Sequence, residues 1–411
     1  MPAEKNAFDI LTERGFIAQC THEEELREIM GKEKITFYMG YDPTADSLTA
    51  GHLLTLMAHA HLQKAGHRLI TLMGTGTGMI GDPTDRTEMR GVSTRETVSH
   101  NIACFKTQFA RFVEYGDAPK AIMEENDWLL DLKLVDFMRE YGIHFSVNKM
   151  LAAECYKSRL EGGLTAFEFT YMLMQAYDFV ELYRRHGCTL QLGGTDQWGN
   201  IVAGVELLRK VEGARAYGLT FNLLTTGSGQ KMGKTAKGAI WLSADKTSPY
   251  DFYQYWRNVE DSTVIRNLKL LTFLPLEEIN EIARMEGSGL NAAKEVLAYE
   301  ITKIVHGAEE AGKAQAAAKA LFAGGGDLEN MPTTDIPQAA ISGGLNIIAL
   351  LEAMKLIPSR AEGRRLIQQG GIKINDTKIE SHEFTVTAND FRDGYLLVQK
   401  GKKIYHRGRL V

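Results

Sequence analysis

The sequence predicts an α/β protein whose first domain is built on a doubly wound parallel sheet. Short apolar runs rich in β-forming residues, such as residues 35–39 and 69–73, alternate with longer stretches of helical periodicity. Glycine-rich or acidic loops follow these runs directly. Such alternation is typical of parallel sheets, whose ligands bind at the carboxyl ends of the strands. We therefore expect the functional residues of this domain in the loops that follow its strands.

Length and composition limit the class of protein. With 411 residues, the chain is long enough for two or three domains. Its 44% hydrophobic and 24% charged residues are typical of a globular protein in water. No apolar run approaches the roughly 18 residues of a membrane-spanning helix, and no secretory signal is visible. The four cysteines are scattered without a C-x-x-C pair, so we expect a cytoplasmic protein without a disulfide framework, a protein metal site or a membrane contact.

The stretch from residue 35 to residue 66 predicts a strand, a loop and a helix. Glycine, aspartate and proline at residues 40–46 interrupt the strand. Ser47 is predicted to cap a helix over residues 48–65. Gly51 and His52 would then lie in the first turns of this helix. Helix N-termini present free N–H groups and a partial positive charge, and they bind phosphates.

The second predicted strand, residues 69–73, is followed by a loop with the sequence GTGTGMIGDP. Its four glycines let the backbone pass close to a ligand. Gly76, Gly78 and Gly81 have the spacing G-x-G-x-x-G, but a dinucleotide-binding loop requires a helix to follow, and the sequence continues here as a loop, which argues against a dehydrogenase. Residues 1–33 and 94–163, on either side of this region, are expected to be mostly helical.

A helical run over residues 165–185 carries three polar side chains on one face. Tyr171, Gln175 and Asp178 are spaced i, i+4 and i+7, so they project from the same side of an otherwise apolar helix. Buried polar groups need partners. The stripe therefore indicates either a structural hydrogen-bond network or a ligand site.

Two later stretches have the composition of ligand-binding loops. Residues 189–200, TLQLGGTDQWGN, predict a strand that ends in a glycine turn. Residues 227–238, GSGQKMGKTAKG, predict a loop of small residues with three lysines. Alone, each pattern is also compatible with an ordinary turn. Lysines on such a loop can stabilise phosphate charge as it develops in a transition state.

The order of these stretches resembles the class I aminoacyl-tRNA synthetases, and specifically their bacterial tyrosyl form. YMGYDPTADSLTAGH is similar to the nucleotide signature that ends in His-x-Gly-His, with Thr49 in place of the first histidine. FTYMLMQAYDF resembles the amino-acid pocket of that family, GGTDQWGN its ribose-binding turn, and KMGKT a variant of its second signature, Lys-Met-Ser-Lys-Ser. The resemblance covers nearly the whole chain and implies a Rossmann-like catalytic domain over residues 1–238, with a connective insertion within residues 94–163 that forms a dimer interface.

The resemblance implies a role for each residue around a tyrosine pocket. The phenol hydroxyl of the substrate would meet Asp178 and Tyr38. If phenylalanine entered instead, these two groups would be left buried and unpaired, which is a physical reason for selectivity. By the same resemblance, the ammonium and carboxylate groups of the substrate would be held by Asp82, Tyr171, Gln175 and Gln197.

The resemblance also implies an ATP site beside this pocket. ATP would be bound by Gly40, Asp42, Gly51, His52, Gly194, Asp196 and Lys234. Catalysis would rest on His52, Thr44, Thr49, Lys231, Lys234 and Arg86, with Arg90 in the same loop as Arg86. These cationic and hydroxyl groups would stabilise pyrophosphate as it leaves. Mg²⁺ would accompany ATP without a dedicated protein site.

The part of the chain after residue 238 is expected to contain two further domains. Residues 245–322 are predicted to be helical, and the resemblance implies an α-helical domain over residues 239–330 that contacts the anticodon arm of tRNA. Residues 323–337 have the glycine, proline and aspartate content of a linker. From Ile341 to Val411 there are 12 Lys and Arg against 7 Asp and Glu, although the whole chain has a net charge of −5. A basic tail on an acidic body indicates a polyanionic partner.

The tail over residues 343–411 is expected to be a small α+β RNA-binding domain. The run SRAEGRRLIQQGGIKIND resembles the alpha-L RNA-binding module. Basic residues on its helix suit the phosphates and 2′-hydroxyls of a folded RNA. RNA would be contacted by Arg360, Arg364, Arg365 and Lys373.

These features lead to one expected function and two alternatives. The expected function is that of a homodimeric tyrosyl-tRNA synthetase whose partners are L-tyrosine, ATP and tRNA(Tyr). The first alternative is a tryptophan-specific relative with the same fold, against which Tyr38 and Asp178 argue. The second is a non-catalytic RNA-binding protein on a synthetase scaffold, which the replacement at Thr49 suggests.

Overall fold

The computed structural model describes residues 5–79, 81–82, 94–153, 156, 160, 163–235, 238–285, 289–322, 332–375, 377–392, 394–401 and 404–411. Contacts within the chain separate it into two compact units. The first comprises Met1–Lys234, Ala239–Ser243 and Val259–Ala293, and the second comprises Thr235–Gly238, Ala244–Asn258 and Lys294–Val411.

The first unit is built on a six-stranded sheet. Its strands are β1 (Ile17–Cys20), β2 (Thr36–Tyr41), β3 (Arg68–Met73), β4 (Ile122–Glu125), β5 (Cys188–Gly194) and β6 (Tyr217–Phe221). They lie in the order β1-β6-β5-β2-β3-β4. All neighbours are parallel except β1, which pairs antiparallel with β6. The chain moves outwards in both directions from β2 and β5, so the point where the strand order reverses lies between these two strands.

The helices follow one another along the chain with short connections in most places. They are α1 (Ala7–Arg14), α2 (Glu23–Lys32), α3 (Leu53–Lys64), α4 (Arg95–Phe109), α5 (Leu134–Glu140), α6 (Val147–Leu151), α7 (Ala166–Phe169), α8 (Tyr171–His186), α9 (Trp198–Glu212), α10 (Pro249–Arg257), α11 (Val264–Leu271), α12 (Leu276–Ile282), α13 (Gly289–His306), α14 (Ala308–Phe322), α15 (Gln338–Ile341), α16 (Ile347–Ala353) and α17 (Arg360–Gln368). Within the described residues, no helix is long and apolar enough to cross a bilayer.

The second unit contains helices and a small sheet of its own. The sheet strands are β9 (Thr333–Ile336), β11 (Ile372–Ile374), β12 (Thr377–Lys378), β14 (Tyr395–Lys400) and β15 (Ile404–Leu410), in the order β12-β11-β14-β15-β9. Two short pairs complete the strands: β7 (Lys234–Thr235) with β8 (Gly238–Ala239), and β10 (Leu345–Asn346) with β13 (Thr385–Val386). Isoleucine and leucine side chains from α16, α17, β11 and β14 form the core of this α+β part.

The α/β fold expected from the sequence is confirmed, with four local differences. The sheet is mixed, because β1 pairs antiparallel with β6. β1 lies in the first region expected to be helical, and β4 lies in the second. Both strands have only four residues, too few to show a clear alternation. The start of α3 is preceded by a single 3₁₀ turn at Ala50–His52, whose N-cap is Thr49 and not Ser47. Residues 333–336, expected in a linker, form β9 and pair in parallel with β15.

Three buried histidines in the first unit are held in the neutral state. Burial lowers the pKa of His59 to about 3, of His61 to about 3 and of His67 to about 4. His59 lies on α3, is fully buried, and neither of its ring nitrogens has a hydrogen-bond partner among the described residues. Protonation of this side chain would place an unpaired charge among apolar neighbours, which is strongly unfavourable.

The free energy of unfolding should therefore depend on pH through these histidines. Their folded-state pKa values lie below the unfolded-state value of about 6.5, so the unfolded chain binds more protons at pH values between the two. Stability is fully present above that unfolded pKa and is lost as the pH falls towards the folded pKa values. Each histidine contributes a slope of about 1.4 kcal/mol per pH unit in this window. Urea unfolding at several pH values should give a flatter dependence for His59→Leu than for the wild-type protein, and parallel curves would contradict the prediction.

Candidate active site

A cavity of about 390 Å³ opens beside β2 and β5 in the first unit. This is the place where a parallel sheet with this strand order binds ligands. Fourteen of the residues predicted from the sequence line it: Tyr38, Gly40, Asp42, Thr44, Thr49, Gly51, His52, Asp82, Tyr171, Gln175, Asp178, Gly194, Asp196 and Gln197. The strand–loop, helix and glycine-turn segments that lie far apart in sequence therefore meet around one pocket.

A buried carboxyl group and a buried phenol lie in one wall of this pocket. Asp178, on α8, is 2% exposed and accepts hydrogen bonds from Asn126 Nδ2 at 2.9 Å and from Trp128 Nε1 at 2.8 Å. Burial raises the pKa of Asp178 to about 8, and the two N–H donors act in the opposite direction. Tyr38, on β2, is 1% exposed, and its hydroxyl has no hydrogen-bond partner among the described residues. Because buried polar groups are normally paired, this hydroxyl indicates a ligand group that is absent from the structure.

Asn126 and Trp128 are functional candidates that sequence reasoning missed. They follow β4, a strand that the sequence did not predict. The Asn126 side chain also donates to Thr77 Oγ1 at 3.1 Å and accepts from the backbone N–H of Gly76 at 2.8 Å. It therefore connects Asp178 to the glycine-rich loop after β3. The sequence did contain one signal for Asn126. It is a polar residue directly after the run AIMEE, at the carboxyl end of a strand, where ligand contacts are expected.

A further set of polar contacts in the pocket is centred on Asp42. The hydroxyl of Tyr171 donates to Asp42 Oδ2 at 3.1 Å, and that of Thr77 donates to Asp42 Oδ1 at 3.0 Å. Burial holds the pKa of Tyr171 far above its ordinary value, so the phenol remains a donor.

A second polar chain lies near Asp82. Gln197 Nε2 donates to Asp82 Oδ2, and Asn200 Nδ2 donates to Gln197 Oε1 at 3.2 Å. Gln175 is the member of the α8 stripe whose carbonyl Oε1 has no partner among the described residues. The pocket therefore offers acceptors on this side, which suit a cationic group such as an ammonium ion.

Glycines permit two close approaches beside the pocket. A Cβ atom at Gly194 would lie 2.4 Å from Asp196 Oδ1. Gly233 has φ +90°, and a Cβ atom there would lie 2.7 Å from the backbone nitrogen of Gly51. The loop that carries the second signature thus lies directly on the helical turn that carries the first, and a side chain at residue 233 would separate them.

Three predicted catalytic cations are not placed at the pocket by the structure. Arg86, with its neighbour Arg90, lies outside the described residues. Lys231 is exposed and is not among the residues that line the cavity. For Lys234, the structure describes only the backbone, which forms the first residue of β7. Among the described residues, no group of three acidic, histidine or cysteine side chains comes together that could hold a metal ion.

Comparison with known proteins identifies the family. Residues 30–323 match the family model described as "tRNA synthetases class I (W and Y)", and residues 327–407 match a "Tyrosine--tRNA ligase SYY-like C-terminal domain". A tyrosine–tRNA ligase of Acetivibrio thermocellus is 58% identical over 407 residues, which cover 99% of this chain and 100% of the relative. One from Lachnoclostridium phytofermentans is 59% identical over 403 residues, covering 98% of each.

A solved structure has the same fold over most of its length. The C-terminally truncated mitochondrial tyrosyl-tRNA synthetase of Aspergillus nidulans superimposes with a TM-score of 0.70 at 30% identity, covering 78% of this chain and 95% of that one. Full-length relatives above 50% identity and two matching family models agree with one another. The chain therefore belongs to the tyrosine–tRNA ligase family of class I aminoacyl-tRNA synthetases, the family expected from its sequence.

Proposed function

We propose that the pocket between β2 and β5 carries out both steps of tyrosine–tRNA ligation. The carboxylate of L-tyrosine attacks the α-phosphorus of ATP, and the bond to the β,γ-diphosphate breaks to give tyrosyl-adenylate and pyrophosphate. The 3′-terminal adenosine hydroxyl of tRNA(Tyr) then attacks the acyl carbon, and AMP leaves. The substrate carboxylate is itself the nucleophile, so the protein contributes positioning and electrostatic stabilisation.

The single observation that carries this proposal is the wall formed by Tyr38 and Asp178. A buried carboxyl group that accepts from two N–H donors, together with an unpartnered buried hydroxyl, suits a phenol group that donates to Asp178 and accepts from Tyr38. A ligand without the hydroxyl would leave both groups buried without this partner, which costs binding energy. Selectivity for tyrosine follows from that cost.

The remaining substrate contacts are assigned by chemistry. The ammonium group of tyrosine would lie against Asp82, Tyr171 and Gln175, and its carboxylate would lie beside Gln197. The acidic character of this side of the pocket supports the assignment. Gln197 donates to Asp82, so this acid and the tyrosine carboxylate would compete for the same amide N–H groups.

ATP would occupy the glycine-lined side. Gly40, Asp42, Gly51, His52, Gly194, Asp196 and Lys234 are the proposed nucleotide contacts, and the catalytic contribution is assigned to His52, Thr44, Thr49, Lys231, Lys234 and Arg86. Donors that meet the phosphates only as charge develops stabilise the transition state more than the ground state, and they therefore lower the barrier. Mg²⁺ would enter with the triphosphate.

Exchange of pyrophosphate into ATP, measured with each of the twenty amino acids in turn, tests the function. We expect exchange only with tyrosine. Exchange with tryptophan would favour the tryptophan-specific alternative. No exchange with any amino acid, together with retained tRNA binding, would favour the non-catalytic RNA-binding alternative.

We also assign tRNA contacts to the later parts of the chain and a cytoplasmic location to the protein. Residues 239–330 would contact the anticodon arm, and residues 343–411 would bind RNA. Arg360, Arg364 and Arg365 are exposed on α17, and Lys373 is half-buried on β11. Arg360 and Arg365 pair with Glu352 and Glu362, so RNA phosphates would compete with these acids. Cys20, Cys104 and Cys188 are free thiols, which supports a reducing compartment.

A second copy of this chain is the proposed partner of an apolar surface in the connective segment. Among the described residues, eight of the ten exposed large hydrophobic side chains lie between residues 130 and 167: Leu130, Leu134, Val135, Met138, Ile143, Val147, Leu160 and Phe167. Leu134 is 74% exposed, Ile143 71% and Val135 67%. Concentrations of exposed apolar side chains mark interaction sites.

Charge placed on this surface should therefore dissociate the dimer. Leu134→Asp combined with Val135→Asp would desolvate two carboxylates in the interface, and we expect it to weaken association by about a thousandfold or more. Sedimentation analysis at micromolar concentration should show a dimer for the wild-type protein and a monomer for the variant. Met285→Asp, at an exposed methionine outside the segment, is the matched control and should remain a dimer. A monomeric wild-type protein would contradict the proposal.

A further inference from the structure

The first position of the nucleotide signature lies against the imidazole of its last position. The backbone N–H of Thr49 donates to His52 Nδ1 at 3.1 Å. The hydroxyl Oγ1 of Thr49 lies 3.0 Å from the same nitrogen. Both residues line the pocket assigned to ATP. The resemblance in sequence had placed Thr49 among the groups that touch phosphate, whereas its polar atoms face another residue of the site.

These contacts determine which ring nitrogen carries the proton. A backbone N–H can only donate, so His52 Nδ1 must be the acceptor. In a neutral imidazole the proton then lies on Nε2. Burial lowers the pKa of His52, which also favours the neutral ring. The free donor of His52 is therefore Nε2–H, the group that a phosphate oxygen needs. The other tautomer would present a lone pair to the phosphate.

The backbone around the pair is fixed from both sides. Thr49 forms an antiparallel bridge with Trp241, and the N–H of Ala50 donates to the carbonyl oxygen of Ile240 at 2.8 Å. On the other side, the carbonyl oxygen of His52 accepts from the hydroxyl of Thr55 at 2.9 Å. The turn that holds the imidazole therefore cannot rotate independently of the segment that follows the second signature.

We propose that Thr49 is a positioning residue that fixes the tautomer and orientation of His52, so that Nε2–H is presented to the triphosphate. The inference rests on the proposed function of the pocket. Thr49, at the first position of the signature, then contributes by orienting His52 at the last position, and it needs no positive charge of its own. Within this site, hydroxyl and backbone N–H act together on one acceptor atom, as outer hydrogen bonds do when they orient a ligating histidine.

A double-mutant cycle separates this role from direct contact with phosphate. Thr49→Val retains the shape of the side chain and removes the hydroxyl, and we expect adenylate formation to slow about tenfold with the affinity for tyrosine unchanged. Thr49→Ser should restore the rate to within about threefold of the wild type. His52→Ala should cost about a hundredfold, and adding Thr49→Val to it should cost nothing more. A further tenfold loss in the double variant would mean that Thr49 acts independently of His52 and would overturn the inference.

Two further measurements keep the test independent of turnover. Nitrogen NMR of ¹⁵N-histidine-labelled protein without nucleotide should show Nδ1 of His52 unprotonated, with the resonance assigned by its loss in His52→Ala. A proton on Nδ1 would overturn the inference whether or not the protein is active. Thermal unfolding of Thr49→Val should match the wild type, which shows that a slower rate is not a folding defect. Failure of tyrosine-dependent exchange in the wild-type protein would instead count against the proposed function alone.

Discussion

Replacing Asp178 by alanine should abolish the preference for tyrosine over phenylalanine. The carboxyl group lies 2% exposed in the pocket wall, and its removal takes away the acceptor that a phenol hydroxyl would meet. Without this carboxyl group, tyrosine loses the hydrogen bond that distinguishes it from phenylalanine. Tyrosyl-tRNA synthetases are themselves the reference case for such discrimination, at about 10⁵ over phenylalanine, so this magnitude belongs to the class of enzyme and not to the geometry of this site. The measurement is the ratio of kcat/KM for the two amino acids in ATP–pyrophosphate exchange.

The absolute rate of this variant should also fall, for a separate reason. Asn126 and Trp128 each donate a hydrogen bond to Asp178, and both donors would be left buried without an acceptor. Tyr38→Phe is the matched control, since it removes one hydroxyl from the same wall and leaves the acid in place. It should reduce the preference by only about tenfold. If the Asp178→Ala enzyme still discriminated as the wild type does, the phenol would be recognised elsewhere in the pocket.

The parts of the site that follow from local periodicity could be predicted from the sequence. Tyr171, Gln175 and Asp178 share a helix face because their spacing matches 3.6 residues per turn, and all three line the cavity. Gly51 and His52 could be placed at a helix start because a strand and a polar loop precede them. In each case the sequence pattern that determines the structure lies within about one helix or one strand–loop–helix unit.

Contacts between distant segments could not be predicted in the same way. Asn126 reaches Asp178 across 52 positions in sequence, from a strand of four residues whose alternation is too short to recognise. The bond between Thr49 and His52 Nδ1 is local, but it depends on where the chain turns, and the sequence indicated Ser47 as the cap. The side chain of Ser47 instead bonds the carbonyl oxygen of Leu48 at 2.9 Å. Competing caps two residues apart have similar local propensities, and tertiary contacts decide between them.

The close approach of the two signature loops has the same origin. Gly233 and Gly51 are separated by most of the first unit in sequence, yet a Cβ atom at Gly233 would lie 2.7 Å from the nitrogen of Gly51. The segment after the lysine loop also pairs with the segment before the first signature, through Leu242 N–H and the carbonyl oxygen of Leu48 at 2.9 Å. The backbone of the lysine loop is thus attached to the turn that carries His52 by residues that carry no charge.

Replacing Lys234 by alanine should slow formation of tyrosyl-adenylate by a factor of about 10² or more while tyrosine binding persists. An ammonium group on this loop would meet the β- and γ-phosphates as negative charge shifts onto the departing pyrophosphate. Such a contact is stronger in the transition state than with bound ATP, so its loss lowers kcat more than it raises KM. Single-turnover quench experiments with saturating tyrosine and ATP measure the chemical step directly, and equilibrium binding of tyrosine provides the second readout.

Lys120→Ala is the matched control for this experiment, because it removes the same charge from an exposed residue that pairs with Glu114 at 3.3 Å. Exposed ion pairs of this kind contribute little, so the rate of adenylate formation should not change. Comparison of the two variants separates a local effect on pyrophosphate from the loss of one positive charge anywhere on the chain. Equal rates for the Lys234→Ala enzyme and the wild type would remove Lys234 from the mechanism. The electrostatic contribution would then have to come from His52 and the remaining cations assigned to the site, Lys231 and Arg86.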